Sequence, residues 1–230
     1  MIGELHCHSC FSKPSLADFW PPSPYKVLKR AKELRLDFVA ITDHDTLGGS
    51  IVAQKLANSL GILVIPAIEI TTCPGGFFKP HPHILAYGLT RQVSSYQPVK
   101  ETIDSVHNQG GIVAAAHPFC PLLSSRIGLK NDVRNFDFDL IEVFNSGELE
   151  ISNKKAEELG KRLKIPAIAG SDAHFLGHLG KALVEIMIDK TERWQDLVAA
   201  MKKGKIRIIK KSSPPWSLFR RILYPLACRL

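Results

Sequence analysis

Long apolar runs are missing from this chain. None approaches the ~20 residues a helix needs to cross a bilayer, so no membrane span is expected. The start lacks the basic segment and apolar stretch of a secretory signal. Cysteine is scarce and irregular: Cys7, Cys10, Cys73, Cys120 and Cys228 form an odd set without a repeated spacing. A disulfide framework is therefore not expected, and a reducing, cytoplasmic compartment fits better. Cys7 and Cys10 make a Cys-x-x-Cys, but no second cysteine pair completes a zinc site. Gly75-Gly76 lacks the following Gly-Lys of a phosphate-binding P-loop. No Ser-His-Asp set stands out, and there is no internal repeat or low-complexity segment.

Acidic charge is also short. The formal net charge is +8, which favours anionic partners such as phosphorylated metabolites, nucleic acid or a membrane surface. Much of the excess sits late in the chain, at Lys202, Lys203, Lys205, Arg207, Lys210, Lys211, Arg220, Arg221 and Arg229. The charge is thus partly a property of a tail. From Trp216 to Leu230 that tail mixes apolar groups with arginines. Such a segment could lie on an anionic membrane, dock a partner, contact nucleic acid or pack on its own domain.

What the chain has in abundance is alternation of strands and helices. Met1 to His8 reads as a strand, with His6 and His8 on one face and Leu5 and Cys7 on the other. Helical spacing follows over Pro24 to Leu36. Phe38 to Thr42 is a buried strand, Gly49 to Leu60 a helix, and Ile62 to Ile70 a third strand. Further strands are expected at Ile84–Gly88, Ile112–Ala116, Leu140–Phe144, Ile165–Ala169, Leu183–Ile188 and Ile206–Ile209. Helices are expected at Val99–Gln109, at Ser152–Leu163 with Ser152 as N-cap, and at Glu192–Lys203. This order predicts an α/β fold with a mainly parallel sheet and βαβ crossovers. About seven units suit a barrel better than a small open sheet. The domain reading is 1–211 as one barrel domain, with 212–230 as a basic amphipathic tail.

His8, His44, Glu69, His117 and Asp172 all fall at or just past the C-terminal end of a predicted strand. In a parallel barrel those ends meet on one face. Imidazole with carboxylate suits Zn, Mn or Fe. So many ligands exceed what one tetrahedral ion needs, which implies two or three ions. Each residue alone has an ordinary explanation. Asp43 and Asp45, for example, could cap the helix that begins near Gly48. Together those explanations fail, because chance does not readily put ligand residues at most strand ends and leave the helices nearly free of histidine. His107 is the exception; it lies in a helix and reads as structural.

In order, the chain carries His6-Cys7-His8-Ser9, Ile41-Thr42-Asp43-His44-Asp45-Thr46, Glu69, His83, Ala116-His117-Pro118 and Gly170-Ser171-Asp172-Ala173-His174. This ordered set resembles the motifs of the PHP (polymerase and histidinol phosphatase) superfamily, from His6 to His174. The resemblance implies a distorted (β/α)7 barrel, two or three divalent metal ions, and phosphoester hydrolysis by attack of a metal-bridging hydroxide. It places His6, His8, Glu69 and Asp172 on one metal. Glu69 would bridge to a second, held also by His83 and His117, and His44 and His174 would hold a third. Asp43 would orient an imidazole.

One departure matters. The family often has Ser-Asp-Gly after the first motif, where this chain has Ser12-Lys13-Pro14. An ammonium there would repel a cation, so two well-occupied metals and a weaker or differently ligated third are expected. Asp18 has the wrong spacing to substitute. Lys13 could instead neutralise substrate phosphate, and Arg126, His178 and Lys181 are further candidate phosphate contacts.

Three functions compete. One is a phosphoesterase acting on a small molecule, such as a nucleotide or phosphorylated metabolite. The second is an exonuclease on DNA or RNA ends with the same metal centre. The third is a non-catalytic metal-binding interaction module, against which the near-complete ligand set argues. A nuclease needs a basic track with stacking aromatics. Phe77, Phe78 and Lys79 form the only such cluster found near the site in the sequence, so the small substrate is preferred.

Overall fold

A computed structural model describes residues 1–12, 21–73, 81–120 and 132–210. Lys13, Asp18, Arg126, the Phe77–Lys79 cluster and the 212–230 tail lie outside them. The elements run β1 (Ile2–Cys7), α1 (Pro24–Glu33), β2 (Phe38–Ile41), α2 (Gly48–Leu60), β3 (Leu63–Val64), β4 (Ala67–Thr71), β5 (His83–Tyr87), α3 (Val99–His107), β6 (Ile112–Ala115), β7 (Leu140–Asn145), α4 (Glu150–Leu163), β8 (Ala167–Gly170), β9 (Ala182–Ile186), α5 (Trp194–Lys202) and β10 (Ile206–Lys210).

The strands form two five-stranded sheets, ordered β10-β9-β1-β2-β3 and β4-β5-β6-β7-β8. The fold is thus mixed α/β. No closed ladder joins the sheets among the described residues. Single bridges link them at Cys7–Ala173 and His44–Glu69. The expectation of a mainly parallel sheet also needs correction. The runs β1-β2-β3 and β6-β7-β8 are parallel, whereas β4-β5, β5-β6, β1-β9 and β9-β10 are antiparallel. Parallel neighbours need a long crossover. The Pro/Gly-rich link between β4 and β5 is too short to supply one, so β5 returns antiparallel.

Two local readings also differ. The stretch Ile62 to Ile70 is two strands in different sheets. Pro66 has no amide hydrogen to give to a ladder, and its carbonyl instead accepts from the Gly88 amide at 2.8 Å. Helix α4 starts at Glu150 with Leu149 as its N-cap residue, so Ser152 lies buried inside the first turn. Acidic Glu150 in that turn complements the helix dipole.

Strand alternation sorts the core. Ala67 on β4, Leu85 and Tyr87 on β5, and Ile112 and Ala114 on β6 share one apolar cluster with Leu5, Phe38, Leu140 and Ile168. Their strand neighbours Ile68, Ile70, Ile84, Ala86, Val113 and Ala115 face the opposite way, into a second cluster under α3 and α4. Helix α5 adds Leu197, Val198 and Met201 to the first cluster. It sits where β5 ends, since a side chain on Gly88 would meet Trp194 and Val198. The other end of the first cluster is where polar residues replace apolar ones at the inward positions.

Strand β1 breaks the expected alternation. Leu5 packs in the first cluster, but Cys7 packs with Val39, Ile41 and α1 in a third. The pairing of β1 with β2 shifts register between Glu4 and Cys7. A bulge inserts one residue and reverses the side that follows. Leu5 and His6 can therefore both point inward, and Cys7 cannot accompany Leu5. Strand β7 has a similar shift between Glu142 and Phe144.

No helix among the described residues is long and apolar enough to cross a membrane. Cys7, Cys10 and Cys73 are free thiols.

Candidate metal centre

Six imidazoles and two carboxylates meet above the first apolar cluster. Glu69 stands at their middle, on the inward position of β4 that follows Ala67. Its Oε1 lies 2.7 Å from His83 Nδ1 and 3.0 Å from His117 Nε2. Its Oε2 lies 3.2 Å from His6 Nε2, 3.3 Å from His44 Nδ1 and 3.4 Å from His8 Nε2. Asp172 Oδ1 lies 3.1 Å from His174 Nε2 and 3.3 Å from His8 Nε2. The His8 and His174 rings stack with centroids 4.2 Å apart.

The backbone explains the convergence. Asp45 donates its amide to Glu69 O, and Glu69 to Asp43 O, which ties the His44 loop to β4. His8 N donates to Ala173 O, and Asp172 N to His6 O, which ties β1 to the end of β8. His83 reaches the same place from the beginning of β5, because that strand runs antiparallel to β4 with Thr71 opposite His83. His117 and Asp172 adopt φ of 24° and 51°, conformations that non-glycine residues rarely hold and that cluster at functional sites.

Four triads bring one ligand atom each within 4.8 Å of one another: His6-His8-Asp172, His6-Glu69-His117, His44-Glu69-His83 and His8-His44-His174. All eight ligand residues expected from the sequence are therefore brought together. The donor set fits divalent metal. His8 Nε2 is buried and has no hydrogen-bond partner among the described residues, yet it faces two carboxylate oxygens within 3.4 Å. A buried nitrogen left without a bond is costly, and a cation between it and those oxygens would satisfy all three.

A family model described as PHP-associated matches residues 150–206. An uncharacterised protein of Methanocaldococcus jannaschii is 32% identical over 153 residues, which cover 64% of this chain and 82% of that protein. A two-domain Bacteroides vulgatus protein, containing a predicted PHP-like metal-dependent phosphoesterase, superposes with a TM-score of 0.63 at 16% identity, over 97% of this chain and 69% of that one. The chain belongs to the PHP superfamily. A 5'-3' exoribonuclease of Haemophilus influenzae is 34% identical over 116 residues, covering 46% of this chain and 40% of that enzyme.

In this PHP protein, charge is distributed unevenly over the site. Burial by itself disfavours ionised Glu69, but His44, His83 and His6 and the hydrogen bond from His117 outweigh it and hold the carboxyl well below the usual range. Burial also works against charged His6, yet Glu142, Asp172 and Glu69 keep its proton affinity well above normal. His117 is likewise raised, to about 9, because its bond to Glu69 overcomes burial. His8 falls to about 4 through burial and the neighbouring His174. His44 falls to about 3, chiefly through burial.

Asp43 accepts from Ser9 N and Oγ, the latter at 2.7 Å, and from Ser12 Oγ at 3.1 Å. Ser12 Oγ in turn lies 3.2 Å from His8 Nδ1 and accepts from His44 N. Asp43 thus reaches the imidazoles through Ser12. His178 is buried in the turn after His174, with its ring 4.1 Å from that of Phe175. His107 lies on α3 and meets Asp139 at 2.8 Å.

Sequence reasoning missed Glu4, Glu142 and Asn145. Glu4 is fully buried and accepts from the backbone amides of His6, Ser171 and Gly180, and burial raises it to about 7. Glu142 and Asn145 lie behind the ligands on β7. A signal existed for the two acids: Glu4 and Glu142 lie inside largely apolar strands, where burial without a partner is unfavourable.

Gly170 marks how tightly the site is supported. A Cβ there would lie 2.2 Å from His6 Cβ and 2.9 Å from Glu142 Oε1. Gly170→Ala is expected to cost about 1–3 kcal/mol by overpacking, or about 2–4 °C of Tm per kcal/mol. Bound metal should fall with it, since His6 is the group displaced. Thermal melts paired with metal analysis would show both; an unchanged melt with full metal content contradicts this packing.

Proposed function

We propose that this protein is a metal-dependent phosphoesterase that hydrolyses a terminal phosphate ester of a small molecule, a nucleotide or phosphorylated metabolite. The observation that carries the reading is the packing of five imidazoles around one buried carboxylate, Glu69, with Asp172 beside them. Two or three divalent ions, when bound, would supply Lewis acidity to phosphoryl oxygens and acidify water at neutral pH. His6, His8, Asp172, Glu69, His83 and His117 would hold two of them, and His44 and His174 a third.

The exposure of the side chains indicates the direction of approach. His6, His8 and Glu69 are fully enclosed, whereas the side chains of His44 and His83 keep 14% and 12% exposure. Substrate would therefore meet the cluster from the His44–His83 side. His44, its basicity lowered chiefly by burial, would offer an unprotonated nitrogen to metal. Lys13, Arg126, His178 and Lys181 remain candidates to neutralise phosphate.

Likeness to the Haemophilus exoribonuclease favours a second reading, an exonuclease using the same centre. The test is one screen. Metal-reconstituted protein is offered p-nitrophenyl phosphate, mononucleotides, sugar phosphates and end-labelled DNA and RNA, with and without chelator. The expected result is chelator-sensitive phosphate release from small monoesters. Shortening of oligonucleotides with monoesters untouched would support the second reading instead. No turnover of any ester by metal-loaded protein would overturn both.

A further inference from the structure

We propose that Glu142, together with Asn145, is a positioning residue that sets three metal-ligating groups at once. This rests on the metal-centre reading above and concerns residues that are not themselves ligands. Glu142 is 1% exposed, and its two oxygens are divided between different strands. Oε1 lies 2.8 Å from His6 Nδ1. Oε2 accepts from the His117 amide at 2.8 Å and from Asn145 Nδ2 at 3.2 Å. Asn145 Nδ2 also lies 3.2 Å from Asp172 Oδ2.

Each contact has a chemical consequence. A carboxylate on His6 Nδ1 keeps the proton on that nitrogen, so Nε2 presents its lone pair towards Glu69 and Asp172 and becomes more basic. The bond to the His117 amide supports a backbone held at φ 24°, where a non-glycine residue stays only if its surroundings hold it. Asn145 engages one oxygen of Asp172 and leaves Oδ1 facing His8 and His174. The register shift in β7 between Glu142 and Phe144 makes this possible. Without it, residues three apart on a strand point to opposite faces. Asn145 is itself fixed from α4, since its amide donates to Asn153 Oδ1 at 2.9 Å and its carbonyl accepts from Asn153 Nδ2 at 3.0 Å. A path of hydrogen bonds therefore runs from α4 through β7 to ligands on β1, after β6 and after β8.

Glutamine at 142 can still offer its oxygen to His6 Nδ1. Its amide nitrogen would then face two other donors, the His117 amide and Asn145 Nδ2. The experiment titrates chelator-stripped protein with Co²⁺ alone and reads both the dissociation constant and the visible ligand-field spectrum. Glu142→Gln is expected to weaken Co²⁺ binding about 10–100-fold and to change the spectrum. Glu142→Ala should weaken it further, and Asn145→Ala should weaken it less. Saturating metal should restore much of the turnover of Glu142→Gln, because the ligands remain. Wild-type affinity and spectrum in both Glu142→Gln and Asn145→Ala overturn the proposal. If the Glu142 variants do not fold, Asn145→Ala decides alone by the same criterion. Wild-type protein that binds no Co²⁺ would instead bring down the metal-centre reading, and this proposal with it.

Discussion

Glu69→Gln is expected to slow phosphoester turnover on the order of 10³-fold while leaving a folded protein. Glu69 reaches five imidazoles from four segments, with Oε1 serving His83 and His117 and Oε2 serving His6, His8 and His44. Glutamine keeps the shape, but it removes the charge and turns one of these acceptors into a donor. A hydrogen bond to a charged group is worth about 1.5–3 kcal/mol. Losing two of them corresponds to roughly 10²–10⁴ in rate, at about 1.36 kcal/mol per decade. The measurement is kcat for a small monoester with circular dichroism as the control for folding. Near-parental turnover in a folded variant would remove Glu69 from the centre of the site.

Returning Mn²⁺, Zn²⁺ or Fe²⁺ to chelator-stripped protein is expected to raise Tm by about 5–10 °C. A ligand at about a hundred times its Kd contributes roughly 2.7 kcal/mol, and a chain of this size shifts about 2–4 °C per kcal/mol. The gain should also grow from pH 6 to pH 8. Burial opposes a charged His117, but its bond to Glu69 and the carboxylates nearby raise it to about 9, and His6 is raised too. Metal must displace those protons, so higher pH favours it. The stripped protein behaves differently. The contribution of His117 is fully present below its unfolded value of about 6.5 and is lost as pH rises through about 9. His8 and His44, lowered to about 4 and about 3 chiefly by burial, act in the opposite sense. In the unfolded chain they take up protons first, so stability falls as pH drops from about 6.5 towards those values. Differential scanning from about pH 3 to about pH 10, with and without metal, reads all three effects. A metal-induced shift that shrinks between pH 6 and pH 8 would contradict the assignment of His6 and His117.

The candidate ligand residues could be read from the text because strand ends and chemical type are both local properties. A histidine or acid at or just past the end of an apolar run is visible without coordinates, and His8, His44, Glu69, His117 and Asp172 recur in that way along the chain. His83 shows the limit of that logic. It begins its strand rather than ending it, and only the antiparallel register of Thr71 with His83 puts it on the same side as Glu69. Pro66 was equally visible, yet its effect, sending Leu63–Val64 and Ala67–Thr71 to different sheets, depends on which neighbours offer hydrogen bonds.

By itself, then, the sequence determined the element types, the alternating apolar faces and the identity of the groups that meet around Glu69. Those follow from side-chain period and chemistry, which each short segment carries alone. Tertiary structure decided the two-sheet arrangement, the inward turn of Leu5 and His6 together, and the placing of Glu142 and Asn145 behind the ligands. Bulges and pairing direction arise only between strands distant along the chain. A one-residue shift in that pairing reverses which side chains face the site.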